Sequence, residues 1–308
     1  MTPDVSICVA TYRRPHGLAR LLDSLSRLAL PEGLAVEIVV VDNDAAGEAQ
    51  SQALATSDAA RSVRWFVEPR QNIAHARNRA VSEARGHWIA FIDDDEVADE
   101  NWLAELWTWA ERGEGDGFFG PVLPRLGAVT TPWLDVETFF SLPRHPSGTR
   151  ISSAESRTGN ALIRRSLFDD RRFDPAWGRT GGSDFELFDR FLTSGACFRW
   201  CDEAIVWETI PARRHRLGWL ARRAFRGGVG FTRLQQLRRS RGAVWRGLPR
   251  ALLALAFLVP LLPLAVLAGR PAAARVWLRV CTQAGHLWAF AGHSYEEYRY
   301  PTTGALLE

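Results

Sequence analysis

The chain has 308 residues, 46% of them hydrophobic and 24% charged. It is therefore long enough to bury a hydrophobic core of its own. Its net charge of +3 conceals an asymmetry. Residues 1–208 contain 22 Arg against 32 Asp and Glu, whereas residues 209–308 contain 16 Arg against three Glu. The chain therefore has an acidic front and a basic, apolar back.

The four cysteines indicate neither a zinc site nor a disulfide framework. Cys197 and Cys201 lack the Cys or His partners that a zinc site requires, so reduced cytosolic thiols are expected. The N-terminal stretch MTPDVSICVATYRRP has no charged segment followed by a long apolar run. We therefore predict no signal peptide and a cytoplasmic location for the bulk of the protein.

Strand and helix patterns alternate along the first 125 residues. Short apolar runs predict strands at Val5–Ala10, Val36–Val41, Val63–Val67 and Trp88–Ile92, and helical spacing predicts helices at Pro15–Leu28, Ala45–Ser57, Asn72–Arg85 and Glu100–Arg112. This alternation is typical of an α/β fold, with a mostly parallel sheet and helices on both faces. A further strand is predicted at Phe118–Leu123, and a helix that Ser183 or Asp184 could cap follows Gly182.

Three clusters of polar residues directly follow predicted strands. They are Thr11-Tyr12-Arg13, Asp42-Asn43-Asp44 and Asp93-Asp94-Asp95. In a parallel sheet, ligands bind outside the carboxyl ends of the strands. We therefore expect all three clusters to lie in one crevice.

The triplet Asp93-Asp94-Asp95 poses an electrostatic problem, because adjacent carboxylates repel one another. One interpretation is a solvated loop with an acidic helix start. The other is a site for Mg²⁺ or Mn²⁺, since such ions are held by one or two carboxylates together with ligand phosphates. Asp42 alone would be an ordinary turn residue, and Tyr12 alone could simply pack.

Six segments occur in a fixed order, namely SICVATYRRP, VVVDND, RQNIAHARNRAV, WIAFIDDDE, TGNALIRRS and GGSDFELFDRF. Together they resemble family 2 glycosyltransferases, which are inverting, metal-dependent enzymes with the GT-A fold, and within them the succinoglycan-type exopolysaccharide glucosyltransferases. The resemblance covers roughly residues 4–230 and depends on the order and spacing of the segments. It implies a Rossmann-like GT-A sheet in the acidic front of the chain.

The resemblance also implies a set of donor-binding residues. It implies that Thr11, Tyr12 and Asp42 hold the uracil of a UDP-sugar, with Arg13 in the same cluster. It also implies that Arg70, Asn72 and Arg77 line the nucleotide site. Asp93 would lie near the ribose. Asp95 would bind the Mg²⁺ or Mn²⁺ that bridges the diphosphate. Asp94 between them receives no role.

The resemblance places the chemistry at Asp184, which stands where the family has its general base. Many members have Glu-Asp here, whereas this chain has Ser183-Asp184, and an ordinary helix cap is the alternative for Asp184. Asn160 falls in the segment that supports the acceptor or donor sugar. The Gln-x-x-Arg-Trp motif of processive synthases is absent from the sequence, which favours transfer of a single sugar.

The basic back of the chain has three interpretations: a nucleic-acid-binding surface, a solvated charged face, or a helix on an anionic membrane. Twelve arginines lie between residues 213 and 250, interleaved with Leu, Trp and Phe, and the uncharged stretch Ala251–Gly269 follows. That stretch favours a membrane over nucleic acid. Arginines between it and Val276–Gly292 favour a hairpin, with both ends inside, over a single span.

The sequence thus predicts four regions. They are a catalytic domain at 1–211 (nucleotide half about 1–125, acceptor half about 126–211), basic amphipathic interfacial helices at 212–250, an apolar membrane segment or hairpin at 251–292, and a tail at 293–308. The expected function is transfer of one sugar from a nucleotide-sugar to a lipid-linked saccharide on the cytoplasmic face of a bacterial inner membrane. The alternatives are a polyprenyl-phosphate sugar synthase and a non-catalytic binder of nucleotide-sugar or nucleic acid.

Overall fold

The computed structural model describes residues 2–56, 63–127, 131, 133–134, 136–178, 180–238, 247–293 and 295. These residues belong to two compact units. The N-terminal unit comprises Met1–Arg125 and Ser141–Thr209, and the C-terminal unit comprises Leu126–Phe140 and Ile210–Arg299. Residues 126–140, which the sequence analysis groups with the acceptor half, therefore belong to the C-terminal unit. Most of the predicted tail lies outside the described residues.

Ten strands are present in the described residues. They are β1 (Val5–Thr11), β2 (Val36–Asp42), β3 (Val63–Val67), β4 (Trp88–Phe91), β5 (Glu96–Ala98), β6 (Gly117–Phe119), β7 (Val122–Leu126), β8 (Ala161–Arg164), β9 (Phe198–Trp200) and β10 (Val206–Ile210). Seven form one sheet in the order β3-β2-β1-β4-β8-β6-β9, and three form a small sheet in the order β5-β10-β7.

The large sheet is mostly parallel, as predicted. Strands β3, β2, β1 and β4 run parallel to one another, and β6 runs parallel to β9. Strand β8 is antiparallel to both β4 and β6, so the sheet is mixed at that point. The parallel part brings the carboxyl ends of β1, β2 and β4 to one edge, where a ligand crevice is expected.

Ten α-helices accompany these strands in the described residues. They are α1 (Pro15–Leu25), α2 (Ala49–Thr56), α3 (Ile73–Glu83), α4 (Trp102–Glu111), α5 (Val136–Phe140), α6 (Pro175–Gly178), α7 (Ser183–Thr193), α8 (Leu217–Arg238), α9 (Gly247–Leu267) and α10 (Arg270–Phe290). Short 3-10 turns occupy Arg165–Phe168 and Ala212–His215.

Helices cover both faces of the large sheet. Alternate residues of a strand point to opposite faces, so in β1 Val5, Ile7 and Val9 join one core cluster and Cys8 joins the other. The first cluster contains residues of α1, α2 and α4, and the second contains residues of α3 and α7. This arrangement confirms the layered α/β fold expected from the sequence.

Two local predictions differ from the structure. The strand predicted at Phe118–Leu123 is two strands, β6 and β7, because Gly120 approaches the Ala204 carbonyl too closely for a side chain and Pro121 has no N–H to donate. Helix α2 begins at Ala49 rather than Ala45 because residues 44–47 form a turn instead, in which the Gly47 N–H bonds to the Asp44 carbonyl at 3.0 Å.

In the C-terminal unit, α10 packs against both α8 and α9. The contact with α8 is made by glycines: a Cβ at Gly228 would lie 2.1 Å from the Thr282 carbonyl oxygen, and one at Gly285 would lie 2.0 Å from the Phe225 carbonyl oxygen. The two helix backbones therefore touch. Helix α8 supplies much of the basic region predicted at 212–250, of which residues 239–246 lie outside the described residues.

Neighbouring glycines in α8 provide a matched test of this contact. We expect Gly228→Ala to lower the free energy of unfolding by about 1–3 kcal/mol, because the helices must separate to admit the methyl group. Gly227→Ala meets no atom within 4 Å and should be neutral or stabilising by up to about 1 kcal/mol. Urea unfolding of both full-length variants measures the difference; equal effects would show that α8 and α10 are not in direct contact.

Candidate active site

The three polar clusters predicted at the strand ends converge at one edge of the large sheet. Thr11 and Asp42 are register partners at the ends of β1 and β2. The Asn43 N–H donates to the Thr11 carbonyl at 2.8 Å, and the Thr11 hydroxyl donates to Asp94 Oδ2 at 2.8 Å. The three clusters therefore lie together at the edge of the sheet where the crevice is expected.

Asp94 lies inside this edge rather than in the crevice. Its side chain is 6% exposed, and Arg14 Nη1 donates to its Oδ1 at 2.8 Å while Thr11 donates to its Oδ2. Burial raises the pKa of Asp94 to about 6; Arg14 opposes the rise and Asp95 adds to it. Asp94, which has no role in the sequence analysis, ties the triplet to the end of β1 and the start of α1.

Arg13 and Arg14 are adjacent in sequence but pair with different carboxylates. Arg13 has a φ of 52°, in the left-handed region that non-glycine residues rarely adopt. Its Nε lies 2.5 Å from Asp44 Oδ2. Arg14 Nη1 instead bridges Asp94 and Asp95, at 2.8 and 3.0 Å. The backbone reversal at Arg13 thus lets neighbouring arginines hold two loops, and the sequence alone does not separate their roles.

Asp93, which precedes Asp94, is more exposed, with 40% of its side chain accessible. Arg77 Nη2 lies 3.1 Å from its Oδ1. Its backbone N–H donates to Glu96 Oε2 at 2.7 Å. Burial raises the pKa of Asp93 and Arg77 opposes the rise, while the carboxylates of Asp95 and Asp184 raise it further. Asp184 is therefore within electrostatic range of the triplet, although α7 lies far along the chain.

Glu96 is a buried neighbour of the triplet that the sequence patterns do not single out. Burial first, and then the carboxylates of Asp93 and Asp95, raise the pKa of Glu96 well above its usual range. A Cβ at Gly159 would lie 2.4 Å from Glu96 Oε1, and Glu208 faces Glu96 across the β5–β10 pair. Glu96 thus packs the triplet loop against the segment before β8.

Asp42 and Asn72 are buried and engaged by backbone groups. Asp42 accepts from the N–H groups of Asp44 and Ala49 at 2.9 and 3.0 Å, and burial raises its pKa. Asn72 caps α3 with its side-chain oxygen, and its amide donates to the Pro175 carbonyl at 2.9 Å. Both residues form the frame behind the crevice, and their contact with a nucleotide remains a prediction.

Tyr12 and Arg70 present their side chains at the rim of the crevice. The Tyr12 hydroxyl accepts a hydrogen bond from Gln71, and the Arg13 guanidinium lies 5.1 Å from the centroid of its ring. Arg70 is exposed and forms a two-point ion pair with Glu68, at 2.8 and 2.9 Å. This pairing lowers the pKa of Glu68 to about 2, so Arg70 is positioned by a carboxylate that stays charged.

Asn160, which the family resemblance places in the segment that supports a sugar, is enclosed by other parts of the protein. It is 0% exposed, and its amide N–H groups donate to the carbonyls of Pro121 and Ala204 at 3.0 and 2.7 Å. Its oxygen accepts from the Trp102 indole at 2.8 Å. With both N–H groups engaged by backbone carbonyls and no exposed surface, Asn160 holds β8 to the adjacent loops, and its expected contact with a sugar remains a prediction.

Asp184 lies in the first turn of α7. The helix begins at Ser183, and the cap position is Gly182 with a φ of 90° and no side-chain cap hydrogen bond. The prediction that Ser183 or Asp184 caps the helix is therefore wrong, because the glycine turn takes that position. Asp184 Oδ1 accepts from the Phe185 N–H at 2.9 Å, and the side chain is half-buried.

The donor set at the triplet suits a hard divalent cation. Asp95 has 21% of its side chain exposed, and with Asp93 it offers carboxylate oxygens to the crevice. Among the described residues, no group of three or more His, Cys, Asp or Glu could hold an ion by itself. Mg²⁺ and Mn²⁺ are commonly held by one or two carboxylates completed by phosphate oxygens, so the residues fit a cation that binds together with a diphosphate.

Comparisons with known proteins identify the family of this chain. The family model for Glycosyl transferase family 2 matches residues 6–172. The succinoglycan biosynthesis protein ExoM of Rhizobium meliloti (strain 1021) is 35% identical over 242 residues, which is 76% of this chain and 75% of the relative. The glycosyltransferase AglE of Haloferax volcanii is 26% identical over 77% of this chain and 76% of its own length.

Two solved structures share the fold over nearly the whole chain. The mannosyltransferase PcManGT from Pyrobaculum calidifontis, in complex with GDP-Man and Mn²⁺, aligns with a TM-score of 0.62 and 16% identity, covering 94% of this chain and 88% of that one. S. aureus TarS 1-349 in complex with UDP-GlcNAc aligns with a TM-score of 0.56 and 14% identity, covering 96% and 93%. At these identities the likeness concerns the fold, and it confirms the predicted GT-A architecture.

The framework role of Asn160 can be tested against an asparagine on the surface. We expect Asn160→Ala to lower the free energy of unfolding by at least about 1–3 kcal/mol, because the Trp102 indole and the Ala204 carbonyl lose this partner in the core. Asn101→Ala removes an exposed side chain without a cap hydrogen bond and should change stability by less than about 0.5 kcal/mol. Urea unfolding measures the stability of both variants. A fully stable Asn160→Ala variant that loses only ligand binding would show instead that Asn160 contacts the ligand directly.

Proposed function

The chain belongs to glycosyl transferase family 2, and from this premise we propose that it moves one sugar, with inversion, from a UDP-linked donor to a lipid-linked saccharide. The reaction would take place at the cytoplasmic face of a bacterial plasma membrane, in the synthesis of a cell-surface polysaccharide. One observation carries the proposal: two partly exposed carboxylates, Asp93 and Asp95, lie beside the arginines Arg77 and Arg14, and Asp93 is within electrostatic range of Asp184.

The donor side of the proposal uses the residues at the strand ends. The Tyr12 ring and the backbone framed by Asp42 supply a flat wall and hydrogen-bonding groups for a uracil. Asp93 is suited to a ribose hydroxyl, because its carboxylate is partly exposed and fixed by Arg77. Asp95 would hold a Mg²⁺ or Mn²⁺ ion, which when bound neutralises the charge that develops on the leaving diphosphate.

The acceptor side of the proposal uses Asp184. Direct displacement at the anomeric carbon requires a base that takes the proton from the attacking hydroxyl, and a carboxylate can do so. A single displacement inverts the configuration at that carbon. The glycine turn at Gly181 and Gly182, with φ angles of 79° and 90°, sets the start of α7 and so positions this carboxylate.

The substrate class follows from the relatives and from the composition of the chain. ExoM is named for succinoglycan biosynthesis, an exopolysaccharide process, and it spans most of this chain. The C-terminal unit contains one helix, α9, that is the only described helix long and apolar enough to cross a membrane. A lipid-linked saccharide is an acceptor that such an enzyme would meet at a membrane surface. The sequence also has no Gln-x-x-Arg-Trp motif, which supports transfer of a single sugar.

Replacement of the proposed base separates chemistry from binding. We expect Asp184→Asn to lower kcat by at least about 100-fold, since the amide cannot accept the hydroxyl proton, with UDP affinity unchanged within about threefold. Asp170→Asn removes an exposed carboxylate elsewhere and should leave both values unchanged. Release of the nucleoside diphosphate is measured with UDP-glucose, UDP-GlcNAc and GDP-mannose as donors, which give UDP, UDP and GDP respectively, and UDP binding is measured by calorimetry.

The choice of acceptor in that assay distinguishes the competing functions. Turnover with undecaprenyl-diphosphate-linked saccharides, and none with undecaprenyl phosphate, supports the proposal. The reverse preference identifies a polyprenyl-phosphate sugar synthase. Unchanged kcat in Asp184→Asn would contradict the assignment of the base, and UDP binding without turnover on any acceptor would indicate a binding protein.

A further inference from the structure

Helix α9 has an apolar surface on nearly all of its exposed sides. After the exposed Arg250 the helix has no charged residue, and from there on its large exposed side chains are all hydrophobic. They are Leu252, Leu253, Phe257, Val259, Leu261, Leu264, Val266 and Leu267. Phe257, for example, is 76% exposed. A contiguous apolar surface of this kind is typical of a site that contacts a protein or a membrane rather than water.

The length of α9 does not by itself decide how it meets that medium. At 1.5 Å per residue, 21 residues extend about 32 Å, close to the roughly 30 Å of a bilayer hydrocarbon core. The decision depends on α10, which returns along α9 after the turn at Ala268 and Gly269. If α9 crosses the bilayer, α10, which packs along it, must cross as well.

Helix α10 is poorly suited to cross hydrocarbon. It carries Arg270, Arg275 and Arg279, all exposed, and Arg279 is the tenth of its 21 residues. A pair of spanning helices would therefore place an arginine near the bilayer centre, where ionised side chains are expensive. The exposed Trp277 and Trp288 of α10 are instead suited to the level of the lipid headgroups.

Helix α8 reinforces this restriction. Its backbone touches that of α10 at Gly228 and Gly285, so α10 cannot enter the bilayer without α8. Helix α8 carries Arg222, Arg223 and Arg226, together with a further arginine near its C-terminal end. Crossing would thus bring at least six arginines of two helices into hydrocarbon. Residues 209–295 contain 15 arginines and no acidic residue, a charge that complements an anionic lipid surface.

From these contacts we propose that the C-terminal unit is a monotopic anchor for an anionic bilayer. Helix α9 lies within the acyl region of the cytoplasmic leaflet, α8 and α10 lie at its headgroups, and the turn at Ala268 does not reach the opposite face. The inference rests on the membrane location in the proposed function and specifies its topology. It also accounts for α9 being apolar around most of its circumference while its neighbours are basic.

The lipid surface is tested by flotation of the full chain with vesicles. We expect binding to vesicles of phosphatidylcholine and phosphatidylglycerol at 7:3 and at least tenfold weaker binding to phosphatidylcholine alone. Phe257→Glu should reduce binding at least tenfold, whereas Leu54→Glu, which alters an exposed leucine of α2, should not. Failure of the chain to bind either vesicle would overturn the proposal, as would a Phe257→Glu variant that only dissociates an oligomer, which would identify a second copy as the partner of α9.

The topology is tested by labelling the turn between α9 and α10. Ala268→Cys, in a chain made in a Gram-negative host, is treated with a membrane-impermeant maleimide in intact spheroplasts and after lysis. Ala212→Cys, in the exposed 3-10 turn before α8, serves as the cytoplasmic control, and the parent chain gives the background from its four cysteines. We expect no labelling of Ala268→Cys above background in intact spheroplasts; labelling there would show that α9 crosses the bilayer.

These two experiments do not depend on turnover, so the anchor and the enzymatic proposal can fail separately. Vesicle binding and a protected turn in a chain without sugar transfer would sustain the anchor and contradict the proposed function. Sugar transfer by a chain that labels at Ala268→Cys from outside would sustain the function and overturn the monotopic topology.

Discussion

The repulsion among three adjacent carboxylates is the constraint around which the crevice is organised. Asp93, Asp94 and Asp95 cannot share one exposed loop without compensation, and the fold separates them. Arg14 bridges Asp94 and Asp95 from the start of α1, and Arg77 holds Asp93 from α3. Asp94 becomes a buried structural residue, while the other two carboxylates remain at the surface of the crevice. The positions of α1 and α3 therefore determine which carboxylates can meet a ligand.

This division gives the family resemblance a physical basis. A cation bound with a diphosphate adds positive charge beside the two carboxylates that the arginines leave partly exposed. Asn160 and Asn72, by contrast, use their amides to hold the frame, so replacing either would disturb the site indirectly. In the proposed function Asp184 accepts the proton, since it is half-buried and within electrostatic range of Asp93. In the N-terminal unit, the residues that hold the frame are thus different from those that we propose for the chemistry.

The sequence predicts the strands and helices of the first 112 residues well, because each is an uninterrupted apolar run or a helical pattern that local residues determine. It does not predict β5 and β9, which have three residues each and form only by pairing with distant strands. The burial of Asn160 was equally inaccessible, since its partners Pro121 and Ala204 are 39 and 44 residues away. The different fates of Arg13 and Arg14 depend on one backbone angle, which neighbouring residue types do not reveal.

The central claim is that Asp95 faces the ligand while Asp94 is structural, and anomalous diffraction from crystals grown with UDP and Mn²⁺ tests it most directly. The account predicts one Mn²⁺ peak bridging the Asp95 carboxylate and the diphosphate, with the pairing of Arg14 and Asp94 intact. A Mn²⁺ peak on Asp94, with Arg14 displaced, would contradict it. So would UDP bound in the crevice without any Mn²⁺ peak at Asp95.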